Sequence, residues 1–143
     1  MDIRTMPAGP ELDAELARAL GYKAITEQED LQRRQQTDHA QGVVVRYGNR
    51  YVVRKPSGQS IDWQPSATWE GAGQVIEEMR RRGWDYILQS LDSGGHGARF
   101  DKWDVGLNRY VASVAEESES APHAITIAAI LALRSEADNG DVR

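Results

Sequence analysis

Arg46, Arg50 and Arg54 recur at every fourth position through a β-branched run, with Tyr47 and Tyr51 between them and Trp63 shortly after. Guanidinium forks match phosphate oxygens, and aromatic faces stack on bases, so this set suits a small anionic, nucleotide-type ligand. Arg109 and Tyr110, on a later segment, could complete such a pocket. Residues 31–56 hold six cations, Arg33, Arg34, Arg46, Arg50, Arg54 and Lys55, against Asp38, a local +5 in a chain of formal charge −5. The remainder therefore sums to −10, which argues against duplex nucleic acid, where affinity rests on phosphate neutralisation. A solvated strand face is the plainer explanation of the same charges. Trp63, beside Asp62, Gln64 and Pro65, is either a stacking platform or, more simply, core or edge packing.

Other chemistry is sparse. The chain has no cysteine, so it offers no thiol nucleophile, disulfide or thiolate zinc site. His39, His96 and His123 are scattered rather than set at metal-ligand spacing. His96 stands in a Gly-Gly-His-Gly tract that reads as a ligand-approach loop or, more simply, a hairpin tip. Glu77 and Glu78 are neighbours that diverge on a helix and make a poor acid–base pair. No nucleophile-elbow, zinc-protease, P-loop or dinucleotide motif occurs. A non-enzymatic protein with no cofactor and no catalytic residue is expected.

The elements that would carry these residues are legible. Met1 to Pro10 reads as a flexible lead-in, and Leu12, Leu16 and Leu20 stripe a first helix that Gly21 ends. Tyr22 to Ile25 is a brief extended segment. Residues 26–41 form a polar insertion, a helical excursion or loop, opened by a Thr26/Glu29 capping box with Leu31 as its apolar anchor. GVVVRYGNRYVVRK is a hairpin turning at Gly48-Asn49, with Tyr47 facing Arg50, Arg46 facing Tyr51 and Val45 facing Val52. Alternation puts Tyr47, Arg50 and Arg54 on one face and Arg46 and Tyr51 on the other. A turn at Ser57-Gly58 leads into a short strand, Ser60 to Trp63.

Ser66 or Thr68 caps a helix whose stripe is Trp69, Ala72, Val75, Ile76 and Met79, closed by Gly83. A strand from Trp84 and a hairpin over Ala98–Asp104 and Asn108–Ala115 follow, with Phe100, Trp103, Tyr110, Ala112 and Val114 directed inward. Trp69, Trp84 and Trp103 are expected in the core. Ser120 and Pro122 open a last, apolar helix, and the tail from Ser135 is expected to fray. The order predicts a single α+β domain over residues 11–134, a mainly antiparallel sheet flanked by helices. The longest apolar run, Ile125 to Leu133, is too short to span a bilayer, and an intracellular, membrane-free protein is expected.

The segments LDAELARALGY, RKPSGQS, PSATWEGAGQVIEEMRRRGW, the hairpin at Trp103 and the closing SAPHAITIAAILAL together resemble the phage α-β-α sandwich domain proteins. The insertion at 26–41 is extra to that pattern, and Gly71 and Gly73 stand where such a helix would use alanine-like residues. The resemblance implies a small phage or prophage protein acting in the bacterial cytoplasm. By analogy with proteins that sequester the cyclic nucleotide or cyclic ADP-ribose signals of CBASS and Thoeris immunity, it implies a homo-oligomeric sponge with the arginine–tyrosine set at a subunit interface. The alternative is an accessory protein that docks a host or phage protein through the 26–41 insertion or a sheet face.

Overall fold

Schellman-type stops and polar caps divide the chain into helices and strands in the order the sequence predicts. The computed structural model describes residues 2–33, 42–48, 50–55 and 59–141. After a 3-10 turn at Ile3–Thr5 come α1 (Pro10–Ala19), β1 (Lys23–Ile25), α2 (Glu27–Arg33), β2 (Val43–Tyr47), β3 (Arg50–Arg54) and β4 (Ser60–Asp62). Then follow α3 (Trp69–Arg81), β5 (Trp84–Ser90), β6 (His96–Asp104), β7 (Arg109–Ser118) and α4 (Ala121–Asp141). The fold is α+β, with the strands in two mostly antiparallel sheets: β1-β2-β3-β4, in which β1 runs parallel to β2, and β5-β6-β7.

α1 packs on β2 and β3, α4 on β6 and β7, and α3 on α4 and β5, so one core lies between the two sheets. Leu12 and Leu16 of α1, Val75 and Met79 of α3, and Ile125 and Ile130 of α4 meet Val44 and Val53 from one sheet and Trp84 and Phe100 from the other. No helix among the described residues is long and apolar enough to cross a membrane.

Local chemistry explains the boundaries. Gly21, at φ 97, closes α1: its N–H reaches Arg18 O and the Tyr22 N–H reaches Ala17 O, the two bonds of a Schellman stop. Thr68, not Ser66, caps α3, accepting from the Gly71 N–H at 3.0 Å. Gly71 is required by contact: a Cβ there would lie 2.8 Å from Gln64 C and O, whereas one on Gly73 would meet open space. The hairpin register is as the sequence predicts, Tyr47 to Arg50, Arg46 to Tyr51 and Val45 to Val52. Asn49 of that turn, and the Ser57-Gly58 turn, fall outside the described residues.

Several expectations are corrected. Residues 3–10 pack on the core, because Ile3 and Met6 bury together and the Gly9 N–H donates to Ser66 Oγ at 2.9 Å. The capping box forms, Glu29 N–H to Thr26 Oγ1 at 3.1 Å, but Leu31 is exposed and α2 is anchored by the buried Asp30 instead. Trp69 is 63% exposed: at the first position of α3 its side chain projects back beyond the helix start, off the core. Trp103 and Tyr110 also face solvent: Trp103 lies an odd number of residues from the buried Phe100, so alternation puts it on the opposite face, and the register shift after Lys102 brings Tyr110 round to pair with it. The strand predicted to end at Ala115 runs on to Ser118, and α4 stays helical to Asp141.

Asp13 shows how tightly α1 is docked. Its buried carboxylate accepts from the Ser66 N–H at 2.8 Å, and burial, only partly offset by Ser66, pushes its pKa up to about 6. A carboxyl held above its unfolded value binds protons more tightly in the native state, so stability falls as pH rises from about 4 to 6. The size is about 3 kcal/mol, the free energy of some two pH units. Urea midpoints across that range should show the fall in the natural protein and lose most of it in Asp13→Asn, which keeps an acceptor for Ser66.

Candidate functional site

The structure separates the residues that the sequence groups together. Trp63 is only 4% exposed, its indole N–H donates to Asp13 O at 2.7 Å, and its ring sits 6.4 Å from Tyr22. It cements β4 to α1 and presents no face to a ligand. Tyr51 is buried on the same inner face, covered by the Arg46 guanidinium 5.8 Å from its ring centre. Arg46 itself turns to Gly48 O at 2.9 Å and Glu11 at 3.2 Å.

On the opposite face, Arg50 and Arg54 do come together with Tyr47, in a groove of about 360 Å³ that Ser60 and Asp62 also line. Both cations have partners. Arg50 reaches Asp62 at 3.3 Å across an exposed pair. Arg54 is bound to the buried Asp30 at 2.8 Å, to Ser60 Oγ at 2.6 Å and to Tyr47 OH at 3.0 Å. Tyr47 OH in turn donates to Asp30. Burial alone would lower the Arg54 pKa, but Asp30 and Tyr47 carry it above its ordinary value, so the guanidinium is permanently charged.

Arg109 and Tyr110 belong to β7, in the other sheet, and do not line this groove. There Arg109 pairs with Asp104 in the β6–β7 ladder, and Tyr110 joins an arrangement not foreseen from the sequence. The outer face of β5-β6-β7 carries Asp85 and Ile87, Arg99 and Asp101, and Ser113, by the register of the ladders. Asp101 is only 3% exposed although it faces away from the core. Both its oxygens take the Arg99 Nε–H at 2.9 Å, and Ser113 Oγ donates at 2.7 Å. Burial alone would raise its carboxyl, but these hydrogen bonds and the Arg99 charge hold it below the usual carboxylate range. Beside it Trp103 meets Tyr110 edge to face at 4.8 Å, and Tyr110 OH donates to Asp85 at 3.3 Å. Desolvation and the Asp85 charge raise the Tyr110 pKa, so the phenol stays a donor.

The aromatic pair is 39% and 51% exposed, and Ile87, Val111 and the hairpin-tip residues Val105 and Leu107 extend the apolar surface. Alternation from Phe100 already turns Trp103 outward, but Tyr110, in phase with Ala112 and Val114, looks inward until the bulge is counted.

Among the described residues one Ser–His contact is seen: Ser118 Oγ lies 2.7 Å from His123 Nδ1, and His123 Nε2 lies 2.8 Å from Met6 O. A carbonyl only accepts, so Nε2 carries the proton and Nδ1 accepts from Ser118. Ser118 lines none of the grooves described, and the set ties the N-terminal segment to β7 and α4. His96 lies within the ladder, paired with Ser90 and Ser118, rather than at a loop tip. Along residues 3–11 a groove of about 640 Å³ has mainly apolar walls from Ile3, Met6, Pro7 and Pro10, and Glu15 and Arg134 also line it. Among the described residues no cluster of three His, Asp or Glu is placed to hold a metal.

This geometry defines an α+β protein with an exposed aromatic sheet face and a charge-neutralised arginine groove. Comparison with known proteins found no matching family model, no matching characterised protein and no matching solved structure.

Proposed function

We propose that the protein is a non-enzymatic binding protein that docks a protein partner through the outer face of β5-β6-β7. One observation carries this reading: Trp103 and Tyr110 stand exposed beside a buried Asp101 that is tied by hydrogen bonds to Arg99 and Ser113. Interfaces concentrate their binding energy in Trp, Tyr and Arg, and side chains already fixed lose little entropy on docking. The surrounding Ile87 and Val111 supply the apolar rim that excludes water.

A photo-crosslinking residue at Val111 tests it in host extract. A discrete cross-linked partner is expected, lost on Trp103→Ala with Tyr110→Ala and kept on Arg50→Glu. Capture that survives the aromatic double substitution would overturn the assignment of this face.

A second reading has one observation in its favour: Arg50, Arg54 and Tyr47 share a groove. In it the protein sequesters an anionic nucleotide signal there, as a homo-oligomer, with the anion displacing Asp62 from Arg50. Thermal unfolding against cyclic dinucleotides and cyclic ADP-ribose reads it. A ligand at a hundredfold excess over Kd stabilises by about 2.7 kcal/mol, a shift of several degrees that Arg50→Glu must remove.

A further inference from the structure

β4 ends its sheet, and the ladder phase shows which of its backbone groups are left over. The Trp63 N–H donates to Tyr51 O and the Lys55 N–H to Gln59 O, both at 2.9 Å. Pairs two residues apart alternate between bonded and non-bonded, so Val53 and Ile61 exchange hydrogen bonds, while Ser60 and Asp62 turn their N–H and C=O groups outward. Both residues are exposed, and no other described strand pairs with this edge.

A groove borders β4 on each side. Ser60 and Asp62 share one face with Arg50 and Arg54. The second groove, about 350 Å³, starts from Ile61 and Asp62 and is lined by Gln64, Thr68, Glu70 and Gln74. It contains an acceptor with nothing to accept: Gln74 Oε1 is buried without a hydrogen-bond partner. A buried, unmatched carbonyl favours an incoming donor, and Glu70 beside it favours a positive one.

We propose that β4 is a strand-addition site for an extended peptide whose side chains alternate acidic, basic, acidic. Residues opposite Ser60 and Asp62 place their side chains on the arginine face, and the residue opposite Ile61 places its own toward Glu70 and Gln74, because alternate residues of an added strand point to opposite faces. The acidic side chains meet Arg50, whose exposed pairing with Asp62 is a contact easily shared, and Arg54, which reaches over β4 to Ser60 Oγ at 2.6 Å while staying paired with Asp30. The basic side chain supplies the donor Gln74 lacks. Main-chain bonds to Ser60 and Asp62 give the affinity and the two grooves give the selectivity. The surface is separate from the aromatic face of β5-β6-β7, so either assignment can fail alone.

The probe is a fluorescein-labelled peptide, Thr-Val-Glu-Lys-Glu-Val-Thr, read by anisotropy, with its charge-swapped counterpart Thr-Val-Lys-Glu-Lys-Val-Thr. The first is expected to bind roughly tenfold or more tighter, since like charges then face Arg50 and Glu70. Ser60→Ala removes the hydroxyl and keeps the N–H, and should leave binding in place. Ser60→Pro removes an outward N–H while sparing the ladder, and should weaken binding by roughly tenfold. Should the proline variant lose its fold by circular dichroism, the peptide N-methylated at both glutamates asks the same question of the natural protein, and it should not bind. Equal binding of the two charge patterns, full binding by a folded Ser60→Pro, undiminished binding of the N-methylated peptide, or no binding of the first peptide would each overturn the proposal.

Discussion

Replacing Trp63 with Ala is expected to cost about 3–5 kcal/mol of stability, the range for removing a buried tryptophan. The ring is the hinge between three parts of the fold: it continues from β4, lies against Tyr22 and gives its N–H to Asp13 O inside α1. Deletion leaves both a cavity and a carbonyl without its donor, and the two penalties add. Urea denaturation should show a large drop in midpoint with little change in slope. Trp69→Ala and Trp103→Ala remove exposed rings and should stay within about 1 kcal/mol of the natural protein. If Trp63→Ala proved as mild as Trp103→Ala, the indole would not be the packing element described, and a role as an accessible stacking platform would return.

This contrast shows where the sequence could be read and where it could not. The β2–β3 register followed from alternation and a two-residue turn, because both signals are local and the ladder repeats every two residues. The stops at Gly21 and Gly83 were legible for the same reason: both take positive φ, which few residues other than glycine adopt. Two of the three tryptophans expected in the core, Trp69 and Trp103, stand in solvent, while Trp63, for which a stacking platform was the alternative to packing, is buried. Trp63 looked edge-like beside Asp62 and Pro65, yet its environment comes from α1, some 50 residues earlier in the chain. Trp69 fits the periodic stripe but falls where the helix has no turn before it to cover.

The candidate site divides along the same line. Alternation alone places Arg46 on the face opposite Arg50 and Arg54, so part of the separation was readable from the start. That Arg109 and Tyr110 sit in a second sheet was not, since strand order depends on long-range pairing. The outer-face group around Asp101 was only half legible: Arg99 and Asp101, two residues apart on one strand, share a face by alternation, but Ser113 joins them only when the β6–β7 ladder is formed.

Arg54→Met is the second large effect, expected at about 3–5 kcal/mol, because it takes a hydrogen-bonded cation away from a buried carboxylate. Asp30 is fully buried, and the guanidinium 2.8 Å away is a cation that compensates its charge. Methionine keeps much of the volume and the flexible stem, so the loss reports on charge more than on packing. Asp30→Asn paired with Arg54→Met tests this directly. The amide retains an oxygen for Tyr47 OH and carries no charge, so the double variant should recover well over half of the single loss, a coupling of about 2 kcal/mol or more. Such a result would also explain how a helix as polar as α2 stays docked with its one large apolar side chain, Leu31, in solvent: an ion pair joins it to β3 where a hydrophobic contact is missing. A single substitution costing under about 1 kcal/mol would mean that Asp30 is held by its remaining contacts, and that Arg54 is free to be recruited by an anion in the groove it shares with Arg50 and Tyr47.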